Sequence, residues 1–236
     1  MGQKCDKLQE KNTRTNVNST TEVFDSNFNL DSLFNTQNEI IDKRSNYAFT
    51  LDYTHDFNED GEKLMISTHH TNYDYLSNQT VDTDYILPDG TTLIRNNKFQ
   101  TLAGQKIKIY TGQFDYELPM NESELFELGG KFSSIDSESD LEQYNFENGT
   151  PTIDIQNSDT FIYDEQNYAM YTSYSKDWES WSLKLGARME YTNILGNSLS
   201  TNQINENDYL KLFPSIYVLH IFDENNEVYF KLGLIL

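Results

Sequence analysis

The stretch Trp181-Ser-Leu-Lys-Leu-Gly-Ala-Arg-Met-Glu-Tyr191 places an apolar or aromatic residue at every odd position and a mostly polar or charged one at every even position. Successive side chains of a β-strand point to opposite faces. Trp181, Leu183, Leu185, Ala187, Met189 and Tyr191 therefore form one oily stripe, and Ser182, Lys184, Arg188 and Glu190 form a wet one. An apolar stripe with a ring at each end is the pattern of a strand that crosses a membrane in a barrel wall.

The pattern recurs. Tyr47, Phe49, Leu51, Tyr53, His55 and Phe57 alternate with Ala48, Thr50, Asp52, Thr54 and Asp56. Asn58-Glu-Asp-Gly61 then supplies turn chemistry, Gly61 accepting a positive φ, and the chain returns through Leu64 to Tyr75. Further strands are expected around Tyr110–Leu118, Phe126–Phe132, Tyr168–Tyr174 and Leu212–Phe222, and a weak one over Thr13–Val23. Val228 to Leu236 would form the second arm of a last hairpin, after a turn at Asp223-Glu-Asn-Asn226.

Connection lengths alternate as well. Short turns follow Phe57, Leu118 and Ser175, whereas Phe24–Ser45, Leu76–Gln105, Asp136–Thr160 and Ile194–Asp208 are long and polar. Outer-membrane barrels put short turns on the periplasmic side and long loops outside. The expected fold is thus all-β: an antiparallel up-and-down transmembrane β-barrel segment of about eight strands, each of roughly 9 to 12 residues. Residues 1–12 are an unassigned tail, and residues 13–236 are the barrel segment.

Composition agrees. Mean hydropathy of −0.70 and the lack of a long apolar run exclude a membrane-spanning helix, but a barrel wall averages its two faces and escapes that test. A net charge of −21 argues against nucleic acid. The single Cys5 forbids an internal disulfide. No secretory signal is visible at the start.

Several phrases resemble the TonB-dependent receptor-like outer-membrane β-barrel family of Gram-negative bacteria. They are Leu51-Asp-Tyr-Thr-His-Asp-Phe57, Gln113-Phe-Asp-Tyr-Glu-Leu-Pro119, Leu128-Gly-Gly-Lys-Phe132, Tyr168 to Lys176, Leu185-Gly-Ala-Arg-Met-Glu-Tyr-Thr192 and Leu212-Phe-Pro-Ser215. The resemblance implies a non-enzymatic protein of the cell outer membrane whose parent family imports ligands such as metal chelates or glycans. It also implies that this sequence supplies only about a third of a wall of about 22 strands. On this reading the plug domain is missing, and Leu234-Ile-Leu236 departs from the family's continuation. Partners implied are outer-membrane lipid and, for the full-length parent, an energy-coupling inner-membrane complex. Two alternatives stand beside it: a secreted β-sandwich or adhesin-like binding module, and a truncated gene product without activity of its own.

No residue set marks a catalytic centre, and no cofactor is expected. Asp56-Phe-Asn-Glu-Asp-Gly61 imitates half a calcium loop, but Ser67 stands where a bidentate Glu is needed, so a turn is the better reading. His69 and His70 are adjacent on a strand and face opposite ways, which denies them a shared metal. Lumen-facing candidates for ligand contact are Lys184, Arg188 and Glu190; the plainer reading of these three is a cross-strand charge ladder.

Overall fold

The computed structural model describes residues 2–223 and 226–233. Glu224 and Asn225 of the last expected turn, and Leu234-Ile-Leu236, lie outside the described residues. The architecture is one antiparallel sheet built from β1 (Gly2–Phe24), β2 (Leu30–Asp56), β3 (Lys63–Ile86), β4 (Leu93–Asn121), β5 (Glu124–Glu147), β6 (Thr150–Ile153), β7 (Asp159–Asp177), β8 (Trp181–Ser198), β9 (Gln203–Asp223) and β10 (Asn226–Gly233). Strands neighbour one another in chain order, except that the short β6 folds back on β5 and leaves β7 to take the next place. A 3-10 turn, Ile155–Asn157, capped by Asp154, follows β6. The sheet is open, with β1 and β10 at its edges.

The described residues form ten strands where about eight are expected, and the long connections are not loops. Leu76–Gln105 is the second half of β3, a tight turn at residues 87–92 and the first half of β4. The same holds for 24–45, 136–160 and 194–208, so β2 to β5 reach 24 to 29 residues. About 10 residues suffice to cross a hydrocarbon layer at a steep tilt. The remainder of each strand therefore stands clear of the membrane as the arm of a β-hairpin. All the extended arms lie at one end of the sheet, and the turns 57–62, 121–124 and 177–181 lie at the other.

Tip chemistry explains the reversals. Asn148 and Gly149 both have positive φ, 51° and 80°, as a two-residue hairpin loop requires. Gly61, at φ 92°, closes the β2–β3 turn as its sequence predicts. At the β3–β4 tip, Asp89 accepts hydrogen bonds from the Thr91 and Thr92 amides, both 2.8 Å, and from Thr92 Oγ1. Those bonds hold its carboxyl at about 2. Asp25 does the same at the β1–β2 tip, accepting from the Asn27 and Asn29 amides, which lowers its pKa too.

The described residues form no hydrophobic core. Among the described residues the only apolar side chain counted as buried is Ala169, at 3 % exposure. A water-soluble sandwich hides its apolar strand faces against a second sheet; here every strand belongs to one layer. A band of apolar side chains across the middle of the sheet instead shares one face and stays open: Met170 is 56 % exposed, Leu212 64 % and Phe114 40 %.

Unbroken registers make that face continuous. Ile66 lies opposite Phe114, Phe114 opposite Gly130, Gly130 opposite Met170, and Met170 opposite Met189, which faces Leu212. Rings bound the stripe at both ends. Toward the short turns, Trp181 stacks on His220 at 4.1 Å, His220 meets Phe222, and Phe57 lies between His55 and Tyr116. Toward the arms, His70 stacks on Tyr110 at 4.3 Å, and Phe132, Tyr168 and Tyr191 follow one another across the sheet. From Trp181 to Tyr191 the strand covers about 33 Å, or about 23 Å of height at a tilt near 45°. That is the height of the apolar band in outer-membrane barrels, about 25 Å.

Candidate functional site

The opposite face of the same strands carries the charge. Even positions of β8 lie level with odd positions of β7, β5, β4 and β3, so Lys184, Gly186, Arg188 and Glu190 share a surface with Tyr171, Ser173, Glu127, Gly129, Asp115 and Met65. All of these except Glu190 and Gly129 line a groove of about 360 Å³. We call this the inner face and the apolar one the outer face.

The three residues singled out by sequence are on this face, but they are not one ladder. Arg188 donates from Nε to Glu190 on its own strand, and its guanidinium carbon lies 5.4 Å from the Tyr171 ring centre. Lys184 instead reaches across β7 to Glu127 on β5, and Glu127 also accepts from the Ser173 hydroxyl. Lys184 is thus compensated separately from Arg188, and all three charges are paired.

The structure adds a second knot that sequence reading missed. Tyr171 donates its hydroxyl to Asp115 on β4, two strands away, and accepts from Gln113 Nε2 at 3.2 Å. Gln113 also donates to the other Asp115 oxygen at 2.8 Å. What lets the Tyr171 ring lie flat across β5 is Gly129. A Cβ there would stand 2.2 Å from Tyr171 Cε2 and 2.4 Å from Cζ. Gly130 does the same for the outer face, where a Cβ would meet Phe114 Cε1 at 2.6 Å. The Gly-Gly pair on β5 is therefore a seat for two rings, one on each side of the sheet. Both glycines are buried beneath them.

The histidines bear out the reading of opposite faces. His69 exchanges hydrogen bonds with Thr50 and Thr71 on the inner face, at 2.9 and 2.7 Å. His70 stacks in the outer aromatic row. Among the described residues no group of three or more His, Cys, Asp or Glu side chains is arranged to hold a metal ion. Chemically this part of the inner face offers fixed dipoles and the paired charges of Lys184, Arg188 and Glu190.

Above the groove the arms continue the inner face as a less charged surface. Tyr75 donates to Asp42 at 3.1 Å, Ser77 donates to the same oxygen at 2.8 Å, and Arg44 lies 3.6 Å from Asp42 and 5.0 Å from the Tyr75 ring centre. Farther along, Tyr163 donates to Glu165.

No curated protein matches the chain. Among solved structures, the ferric citrate transporter FecA in its unliganded form is 12% identical with a TM-score of 0.43, the match covering 97% of this chain and 42% of FecA. The ferric yersiniabactin uptake receptor FyuA from Yersinia pestis is 10% identical with a TM-score of 0.38, covering 93% of this chain and 41% of FyuA. The chain thus spans less than half the length of either. Residues 55–234 match the model of the outer membrane protein beta-barrel family. With a strand-by-strand apolar band on one face, a charged inner face and that match over most of its length, the chain belongs to the outer membrane protein beta-barrel family and resides in the outer membrane.

Proposed function

We propose that this chain is part of the wall of a TonB-dependent receptor-like barrel, non-enzymatic, through whose lumen a ligand is imported. The observation that carries the reading is that the described residues form one sheet without a core: a sheet with an apolar band on one face and charged side chains on the other is a wall and not a globule. An open sheet in lipid leaves the outward N–H and C=O groups of its two edge strands unpaired, at several kcal/mol each. Further strands pairing with β1 and β10 remove that cost, which favours a larger ring over a free-standing sheet. The inner face then lines the lumen, with Lys184, Arg188 and Glu190 at mid-depth and the arms projecting outside the cell. Lipid is the partner of the outer face, and an energy-coupling complex of the inner membrane is the partner of the longer protein.

The reading is tested by expressing the chain with and without its neighbouring coding sequence and separating the membranes. Expected is an outer-membrane product with heat-modifiable migration when the neighbouring sequence is present. Import is tested in the same cells with a Ser173→Cys variant. Its reaction with a membrane-impermeant maleimide should change when an uncoupler collapses the proton gradient. A soluble monomer overturns the wall; uncoupler-independent labelling overturns the coupled importer.

A further inference from the structure

Toward the arms, the row of rings that edges the apolar band steps down across the sheet. It holds His70 and Tyr110 on β3 and β4, then Phe132, Tyr168 and Tyr191 on β5, β7 and β8, one cross-strand row nearer the short turns. The edge of the band lies level with the membrane surface. Within one row, a residue on β5 or β7 therefore stands farther from the hydrocarbon than one on β4. A line rising straight out of the membrane from Gly112 on β4 passes Ser134 on β5 and reaches Asp136 and Asp164, with Lys108 on its near side.

Three features follow one another along that line. Inside the band is an apolar groove of about 480 Å³ between Ile66, Thr68, Phe114, Phe132 and Met170, with Gly112 on its floor. A Cβ at Gly112 would meet no atom within 4 Å, so the space above it is open. At the edge of the band, Ser134 breaks the aromatic surface between Tyr110 and Gln166, and Gln166 accepts from the Tyr168 hydroxyl at 3.1 Å. Just beyond, Lys108 stands opposite Asp136, and Asp136 opposite Asp164. Lys106 in the next row pairs with Glu138 at 3.5 Å, whereas no ion pair among the described residues engages Lys108. Burial and the neighbouring Asp136 push the Asp164 carboxyl up, as in a carboxylate pair short of a cation.

We propose that this track holds one phospholipid with an ethanolamine phosphate headgroup: an acyl chain in the Gly112 groove, the phosphate at Lys108, and the ammonium at Asp136 and Asp164. The inference rests on the reading that the apolar face lies in lipid. The order of charges along the track matches that headgroup, whose phosphate joins the glycerol and whose ammonium is the outer end. Lys108 is the innermost of the three charged groups, and strands about 4.8 Å apart set the opposite charges one short link from each other. A primary ammonium brings three N–H donors to the two carboxylates. A purely anionic headgroup fits poorly. From β3 to β9, in this row and the next, the outward lysines Lys106 and Lys108 are outnumbered by Asp74, Asp136, Glu138, Asp164 and Glu206.

The test uses the full chain, with its neighbouring coding sequence, stripped of lipid in detergent and titrated with dioleoyl phosphatidylethanolamine, dioleoyl phosphatidylglycerol or lipid A. Native mass spectrometry should show one phosphatidylethanolamine retained at concentrations about fivefold below those phosphatidylglycerol needs, the scale of an exposed charge pair. Asp136→Asn combined with Asp164→Asn should abolish that preference. Gly112→Leu, which fills the groove, should weaken both phospholipids alike, and Met189→Leu elsewhere on the same face should leave both unchanged. Heat-modifiable migration verifies that each variant is folded. Equal retention of the two phospholipids, displacement of phosphatidylethanolamine by equimolar lipid A, or insensitivity to both Gly112→Leu and the double asparagine variant overturns the proposal. A nitroxide on Leu212→Cys in bilayers separates the two layers of inference. Frequent collision with oxygen keeps the apolar face in lipid, whatever the headgroup preference; frequent collision with a water-soluble nickel chelate overturns that reading itself.

Discussion

Replacing Gly129 by alanine should cost far more than a methyl group on a strand ordinarily does, because the space above it belongs to Tyr171. The new Cβ would stand 2.2 Å from Tyr171 Cε2, against an optimal carbon–carbon separation of about 3.5 Å, so the ring must withdraw by at least about 1.3 Å. Its hydroxyl is held by Asp115 and Gln113, so the ring cannot withdraw without breaking those bonds. Overpacking of this kind costs about 1–3 kcal/mol, and loss of a hydrogen bond to a charged acceptor adds about 1.5 kcal/mol. Against that, removing a glycine from a strand returns about 0.5–1 kcal/mol through the unfolded chain. The net expectation is a loss of about 2–3 kcal/mol, read by urea unfolding of the barrel in lipid vesicles with Trp178 and Trp181 fluorescence. The double-mutant cycle is decisive. In a Tyr171→Ala background the seat is empty, and Gly129→Ala should cost close to nothing, a coupling of about 2 kcal/mol. A cost that is the same in both backgrounds refutes the ring-on-glycine account.

Three further outcomes follow from the same geometry. Leu185→Arg puts a guanidinium on the outer face near mid-band and should lower stability by about 2–4 kcal/mol, whereas Ser173→Arg on the inner face should cost less; unequal unfolding midpoints check it. Lys184→Met leaves Glu127 with the Ser173 hydroxyl and, the pair being half exposed, should cost about 0.5–1 kcal/mol, partly restored by a second change, Glu127→Gln. The Asp89 carboxyl should titrate near 2 by carbon NMR, and Thr92→Val should raise that midpoint toward the usual aspartate range. Because this folded-state pKa lies below the unfolded one, the tip's contribution is complete above about pH 4 and fades as pH falls toward 2.

The membrane-crossing parts of the chain were readable because lipid on one side and water on the other enforce a period of two. Residues 47–56, 110–118, 168–174 and 181–191 are all in strands with the faces their alternation assigns. Above the membrane both faces are wet, the hydrophobic contrast disappears, and strand looks like loop. That is why 76–105 and 136–160 read as connections although they are ladders of Thr, Asn, Gln and Asp. Thr36 with Thr83 at 3.0 Å and Gln79 with Asn38 at 3.0 Å are examples. One signal was there to be used: Asn148-Gly149 is a strong two-residue hairpin dipeptide, and Pro88-Asp-Gly90 marks the other tip. At the inner face, Lys184, Arg188 and Glu190 were legible from one strand. Asp115, Gln113, Glu127 and Tyr171 were not, since they come from three other strands, and which residues they meet is set by register. Gly129-Gly130 was legible only as a family phrase, because a glycine's role as a ring seat depends on what the neighbouring strands place above it.

The most direct test of the account is a nitroxide scan of residues 181 to 191 in bilayers, one cysteine at a time with Cys5 replaced by serine. Oxygen collision rates should peak at 183, 185, 187 and 189, and those of a water-soluble nickel chelate at 182, 184, 186, 188 and 190. A flat profile, or a period of two with the faces exchanged, contradicts the claim that this sheet is a membrane wall with its apolar face in lipid.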